Sequence, residues 1–149
     1  MNSDVKNPLG TERKNKSNEA YASKIKGKKK SSALRGVIVS APSALREMVF
    51  SAPAQLIDKY VDGYDPVVLA KLFGDEEMMR TAKSFFDNDL NVSKTADAIY
   101  MHRNTLMYRL NKIKKLTGLD VKTFNDAVSF QILSISYALK WRSNGKKQQ

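Results

Sequence analysis

The sequence contains no cysteine and only one histidine, His102. The absence of cysteine excludes disulfides, thiolate metal ligands and a cysteine nucleophile, and one histidine alone does not build a histidine-rich metal site. No second histidine or Ser/Asp arrangement accompanies His102 as a catalytic group would require. We therefore predict that the protein is not an enzyme, has no catalytic or metal-binding residue and uses no cofactor.

Long apolar runs are absent as well. Nowhere does the sequence approach the roughly 20 consecutive apolar residues that a membrane span needs, and the first ten residues lack the apolar core of a signal peptide. The length of 149 residues fits one compact domain plus a tail and excludes a large two-domain enzyme. We expect a soluble, cytoplasmic protein with no membrane partner.

Acidic residues are scarce relative to basic ones. The chain has 26 Lys and Arg against 15 Asp and Glu, a formal net charge of +11. This surplus favours a polyanionic partner, of which nucleic acid is the first candidate. Residues 1–36 hold ten basic and three acidic side chains without an apolar period, which predicts a disordered basic tail. That tail is either a solvated segment that aids solubility or an arm that binds nucleic acid phosphates. Residues 142–149 are predicted to be a second basic tail.

Proline is confined to the first half of the chain, where Pro42, Pro53 and Pro66 divide residues 37–74. This segment is predicted to hold short helices, such as 43–50, 54–61 and 67–73, or a linker. After Pro66 there is no proline, and apolar spacing and capping residues predict four helices. They cover residues 75–88, 93–99, 102–116 and 123–141, so the predicted fold is all-α.

The link between the second and third of these helices is about three residues long, as in a helix-turn-helix. Ala96 would permit close helix approach, while Leu106 and Leu110 fall where the pair needs a shared core. An ordinary helical hairpin is the alternative. Charge favours the helix-turn-helix, because residues 102–115 carry five basic side chains and no acidic one. Such a helix fits the major groove of double-stranded DNA.

The candidate DNA-binding residues lie on the second and third helices. His102 occupies the N-cap position of the third helix, where its ring can accept a hydrogen bond from a free backbone amide. Arg103 is placed for guanine readout, and a phosphate contact or an intramolecular ion pair remain alternatives. The full candidate set is Ser93, Lys94, His102, Arg103, Asn104, Thr105, Tyr108, Arg109 and Lys112.

Three stretches carry a family resemblance: residues 90–96 (LNVSKTA), 101–110 (MHRNTLMYRL) and 116–120 (LTGLD). With their neighbours from about residue 75 to 139, they resemble the C-terminal helix-turn-helix domain of the PucR and sugar-diacid (CdaR) family of bacterial transcriptional regulators. The resemblance implies sequence-specific binding of double-stranded DNA on the nucleoid. Tyr100 departs from many helix-turn-helix proteins, which have Gly in the turn, at a cost of about 1 kcal/mol if its φ is positive.

The last predicted helix has two apolar stripes. One contains Phe124 and Val128, and the nearly opposite one contains Phe130, Leu133, Tyr137 and Trp141. One small domain hardly covers both, so we expect a homodimer joined through the second stripe, with coverage by residues 37–74 as the alternative.

Two other functions compete with sequence-specific DNA binding. The protein could be an RNA- or ribosome-associated basic protein, or an interaction module derived from a regulator.

Overall fold

The computed structural model describes residues 32–147, and these residues form eight helices and no strand. The all-α prediction is confirmed. The helices are α1 (Ser32–Ser40), α2 (Ser43–Ser51), α3 (Ala54–Val61), α4 (Pro66–Gly74), α5 (Glu76–Asp87), α6 (Val92–Ala98), α7 (Arg103–Thr117) and α8 (Phe124–Lys147).

Short polar side chains begin the central helices. The Asp65 carboxylate accepts hydrogen bonds from the amides of Val67 and Val68 at the start of α4, and Pro66 fills the first helical position. Asp75 caps α5 in the same way through the amide of Met78. The extended backbone of Asp75 and its cap on α5 explain why α4 and α5 are separate helices although only this one residue lies between them.

The first helix corrects the predicted boundary of the basic tail. Residues 1–31 lie outside the described residues, but residues 32–36, which the prediction included in a disordered tail, form the first half of α1. Ala33 and Leu34 are buried together with Val37 and Ile38, so one apolar face crosses the predicted boundary. Burial of this face against the rest of the chain stabilises the helix.

Helix α1 packs mainly along α5. A Cβ atom added to Gly36 would lie 2.8 Å from Cδ of Lys83, so glycine permits this close approach. The chain then turns at Ala41, where the buried Arg46 guanidinium donates hydrogen bonds to the carbonyls of Val39 and Ala41. Arg46 thereby satisfies backbone acceptors at the end of α1 that have no partner inside the helix.

Most of the second apolar stripe of α8 is covered within one chain, which corrects the interface expected for a homodimer, although Trp141 at the end of the stripe is 52% exposed. Phe130 and Leu133 have no exposed surface. The ring centroid of Phe130 lies 5.9 Å from that of Phe73 in α4 and 6.0 Å from that of Phe86 in α5, and Phe73 also lies 4.7 Å from Tyr137. The alternative, cover by residues 37–74, therefore holds for Phe130 through Phe73, and Phe86 of α5 adds to it.

Helices α2 and α3 also pack against α8. The Tyr60 hydroxyl donates a hydrogen bond to the Ser129 carbonyl over 3.3 Å, and burial raises the pKa of Tyr60 well above its ordinary value. Helix α8 continues to Lys147, so residues 142–147 are helical where a basic tail was predicted. Six further residues of helix therefore follow Trp141.

Candidate nucleic-acid interface

Helices α6 and α7 form the predicted helix-turn-helix. The Asn91 side chain begins α6 by accepting a hydrogen bond from the Lys94 amide over 2.9 Å. Thr95 and Ala96 are buried where α6 meets α7, and Leu106, Leu110 and Ile113 on α7 have no exposed surface. The small side chain of Ala96 thus lies at the close approach expected from the sequence, and the pair shares one apolar core.

The turn between the two helices is closed by backbone hydrogen bonds. The Met101 amide donates to the Ala96 carbonyl over 2.9 Å, and the Tyr100 amide donates to the Asp97 carbonyl over 3.3 Å. This pair of bonds is a Schellman motif, which requires a left-handed residue at Tyr100. Tyr100 has φ of 51°, and its side chain is 98% exposed.

His102 caps α7. Its Nδ1 accepts a hydrogen bond from the Asn104 amide over 3.2 Å, as its position in the sequence predicts. The cap holds the chain where α7 begins, and Arg103, Asn104 and Thr105 in the first turn are all exposed. Hydrogen-bonding side chains of three kinds therefore project from the end of a helix whose other side is fixed in the core.

The exposed face of α6 and α7 contains most of the predicted site. Ser93 and Lys94 are exposed in the first turn of α6, Tyr108 is 67% exposed on α7 and Lys112 is half-buried. The shared core predicted for Leu106 and Leu110 is confirmed, because both are fully buried, whereas these polar residues are exposed or half-buried. Eight of the nine candidates are thus exposed or half-buried on the helix pair.

Arg109 is placed differently. Its Nη2 lies 2.9 Å from Oε2 of Glu77, and its Nη1 donates a hydrogen bond to Oγ1 of Thr81 over 2.9 Å. The side chain is only 23% exposed. Both partners lie on α5 and are 28 and 32 residues away in sequence, so no local pattern would have indicated them.

The end of α7 is tied to the start of α8 through Asp120. Its carboxylate pairs with Lys114 at 3.3 Å and with Lys122 at 3.1 Å, and Lys122 also donates a hydrogen bond to Asn111. Burial raises the pKa of Asp120, but the hydrogen bonds and charges of the two lysines outweigh burial and lower it below its ordinary value. Gly118, with φ of 79°, ends α7 just before this junction.

Among the residues that the structure describes, no group of three or more His, Asp or Glu side chains is arranged to hold a metal ion. Within the same part of the chain, no helix is long and apolar enough to cross a membrane.

Residues 78–134 match the family described as the PucR C-terminal helix-turn-helix domain. This segment runs from the first turn of α5 into α8 and contains α6 and α7 complete. Helices α1 to α4 lie outside it. No solved structure matches this chain.

Several curated proteins are similar to part of the chain. The Carbohydrate diacid regulator of Escherichia coli is 45% identical over 49 residues, which cover 33% of this chain and 13% of that protein. The Transcriptional activator PmfR of Paenarthrobacter nicotinovorans is 37% identical over 67 residues, or 42% and 14% of the two chains. The Purine catabolism regulatory protein of Bacillus subtilis is 35% identical over 48 residues, or 32% and 9%.

The chain spans a fifth or less of the length of the curated relatives that it matches. The similarity therefore concerns one domain. Taken with the capped helix pair and its exposed polar face, the match shows that residues 78–134 are a helix-turn-helix domain of the PucR type.

Proposed function

We propose that this protein is a transcriptional regulator that binds double-stranded DNA sequence-specifically, with α7 in the major groove. The observation that carries the proposal is the exposed first turn of α7, where Arg103, Asn104 and Thr105 project from a helix fixed in the core. Hydrogen-bonding side chains at the start of such a helix are suited to base edges. No acidic residue from 102 to 115 would repel the phosphates.

The remaining polar residues of this surface are suited to the DNA backbone. Ser93 and Lys94 lie in the first turn of α6, and in helix-turn-helix proteins the first helix crosses the backbone. Lys112 lies on α7 two turns beyond Thr105 and is placed for a phosphate. The names of the relatives, which include a regulator of carbohydrate diacids and a transcriptional activator, support the same proposal. A cytoplasmic, nucleoid-associated protein follows from it.

The proposal is tested by selecting duplex sites from random oligonucleotides with the purified chain and then measuring affinities. Arg103→Ala and Thr105→Ala should each weaken binding to the selected site by about 1 to 3 kcal/mol and change binding to random duplex little, because base contacts carry discrimination. Lys94→Ala is the comparison, since loss of a phosphate contact weakens both equally. Equal losses on both duplexes for Arg103→Ala and Thr105→Ala would contradict base readout.

A second candidate function, an RNA- or ribosome-associated protein, is favoured by one observation. The aromatic side chains of Tyr100 and Tyr108 are both largely exposed on the α6–α7 pair, and exposed aromatic rings are stacking surfaces for unpaired bases. Selection from single-stranded RNA beside duplex DNA separates the two candidates, because the first predicts enrichment of a duplex sequence alone.

A homodimer on a two-fold symmetric site stays a prediction. Its interface would use residues other than Phe130 and Leu133, since both are fully buried within one chain. Two copies of α7 would then read half-sites about 34 to 36 Å apart.

A further inference from the structure

We propose that Arg109 is a positioning residue that holds α7 against α5, and that it sets DNA affinity through the orientation of α7 without touching DNA. The inference rests on the proposed function of α7 as the helix that reads DNA. It assigns to Arg109 a different task from the other basic side chains of the helix-turn-helix.

Two directional contacts support this assignment. The guanidinium of Arg109 reaches Oγ1 of Thr81 with one nitrogen and Oε2 of Glu77 with the other, both over 2.9 Å. Thr81 is 2% exposed, and its hydroxyl donates a hydrogen bond to the Glu77 carbonyl over 2.8 Å. The receiving oxygen is therefore fixed within α5. The planar fork of arginine matches two acceptors one helical turn apart, which a lysine ammonium does not.

The position of Arg109 on α7 connects these contacts to Thr105, one of the residues proposed to contact bases. Arg109 lies one helical turn after Thr105, at the border between the apolar face and the exposed face. The apolar contacts of Leu106 and Leu110 fix the depth of α7 but have no preferred direction, whereas hydrogen bonds have one. The contacts of Arg109 with α5 therefore oppose rotation and tilt that would displace Thr105.

The same contacts argue against a phosphate contact by Arg109. The guanidinium already engages two partners, and its side chain is 23% exposed. A phosphate drawn to Arg109 would also approach the Glu77 carboxylate, whose side chain is 76% exposed and carries the same sign of charge. A phosphate bound through the remaining N–H groups of Arg109 would therefore lie beside this carboxylate.

Glu77→Ala distinguishes a positioning role of Arg109 from a phosphate contact, because the two roles predict opposite changes in DNA affinity. If Arg109 positions α7, loss of its acceptor should weaken binding to the selected duplex about three- to tenfold. If Arg109 contacts phosphate, removal of the competing acid should strengthen binding. Glu76→Ala is the matched control, because Glu76 is the neighbouring acid in the same turn of α5 and pairs with Arg80 instead. It should leave specific affinity unchanged or slightly raised.

Arg109→Ala and the double variant with Glu77→Ala supply two further measurements. Positioning predicts an unchanged slope of log affinity against log salt concentration for Arg109→Ala, whereas loss of a phosphate contact would reduce the slope by about 0.9. Positioning also predicts that Glu77→Ala adds little to Arg109→Ala, since both remove one interaction. A reduced slope, or tighter binding by Glu77→Ala, would overturn the inference.

Hydrogen exchange of the free protein tests the inference without DNA. Arg109→Ala and Glu77→Ala should speed amide exchange in the first turns of α7, while Glu76→Ala should not. If the wild-type chain selects no duplex site but exchange changes as described, the proposed function fails, and with it the effect on DNA affinity, while the structural role of Arg109 in holding α7 against α5 stands. If a site is selected but exchange in α7 is unchanged in both variants, the positioning role fails and the proposed function stands.

Discussion

Tyr100 combines a left-handed backbone with a side chain that contributes nothing to the core. Its φ of 51° crowds Cβ against the backbone, a strain that glycine avoids, and its ring is 98% exposed. Asp89 and Leu90 also have positive φ, of 55° and 61°, at the end of α5. Strained turns thus precede and follow α6. The backbone hydrogen bonds to Ala96 and Asp97 hold Tyr100 in place despite its strain.

Tyr100→Gly should raise the free energy of unfolding by about 0.5 to 1 kcal/mol. Glycine relieves the left-handed strain, and its greater entropy in the unfolded chain offsets part of that gain. Tyr108→Gly is the matched control, because Tyr108 is an exposed tyrosine inside α7 and glycine there should destabilise by about 0.5 kcal/mol. Thermal or urea unfolding of both variants measures the two effects, and a destabilised Tyr100→Gly would show that the ring stabilises the fold.

Local chemistry could be predicted at the residue scale, and distant pairing could not. The His102 cap was predictable because a cap depends on the residue before the helix and the free amides that follow it. The contact of Arg109 with Glu77 was not, since it depends on how α5 crosses α7. The sequence placed Arg109 among basic neighbours, whereas the structure pairs it with Glu77 and Thr81 on α5.

At the scale of elements, Asp120 joins the end of α7 to the start of α8. Its carboxylate receives Lys114 from α7 and Lys122 from the connecting loop, and the Asp126 carboxylate of α8 accepts a hydrogen bond from the Asp120 amide. The lowered pKa of Asp120 means that the folded protein favours the ionised carboxyl. This contribution to stability is present above the ordinary pKa of 3.8 and is lost as the pH falls through the folded value.

Asp120→Asn should therefore destabilise the protein at neutral pH by less than about 1 kcal/mol, as is usual for partly exposed ion pairs. The difference between the variant and the wild type should shrink as the pH is lowered below 3.8, because the wild-type carboxyl is then losing its charge. Urea unfolding of both proteins from neutral to acidic pH measures this difference. Glu76→Gln, in an exposed pair with Arg80, is the control and should change stability less. A difference in the free energy of unfolding that grew towards acidic pH would contradict a stabilising role for the ionised Asp120 carboxylate.

The predictions missed the start of α1 and the last residues of α8, and the two errors have separate causes. A helical apolar pattern, Ala33 and Leu34 followed by Val37 and Ile38, was present in the sequence for α1, but the charge count of residues 1–36 obscured it. Residues 142–147 have no apolar pattern and contain Gly145, which disfavours a helix interior. Their helix is the continuation of α8 and was not predictable from their own composition.

On the scale of the whole molecule, the chain packs its first half against its last helix. Helices α1, α2 and α3 pack on α8, and Phe73 of α4 meets Phe130 and Tyr137. The helix-turn-helix therefore shares one core with segments outside the family match. The sequence revealed both apolar stripes of α8, but which partner covers a stripe depends on tertiary packing that periodicity does not encode.

Leu133→Asp distinguishes cover by the same chain from cover by a second copy. Leu133 has no exposed surface, so the substitution removes a buried side chain, at about 2 to 5 kcal/mol, and adds the cost of burying a carboxylate. Because a domain's whole stability is about 5 to 15 kcal/mol, we expect the variant to unfold. Val67→Asp is the matched control on α4, where the side chain is 75% exposed and the change should be tolerated. Circular dichroism with sedimentation checks both. A folded, monomeric Leu133→Asp beside a dimeric wild type would instead place Leu133 in an interface between copies.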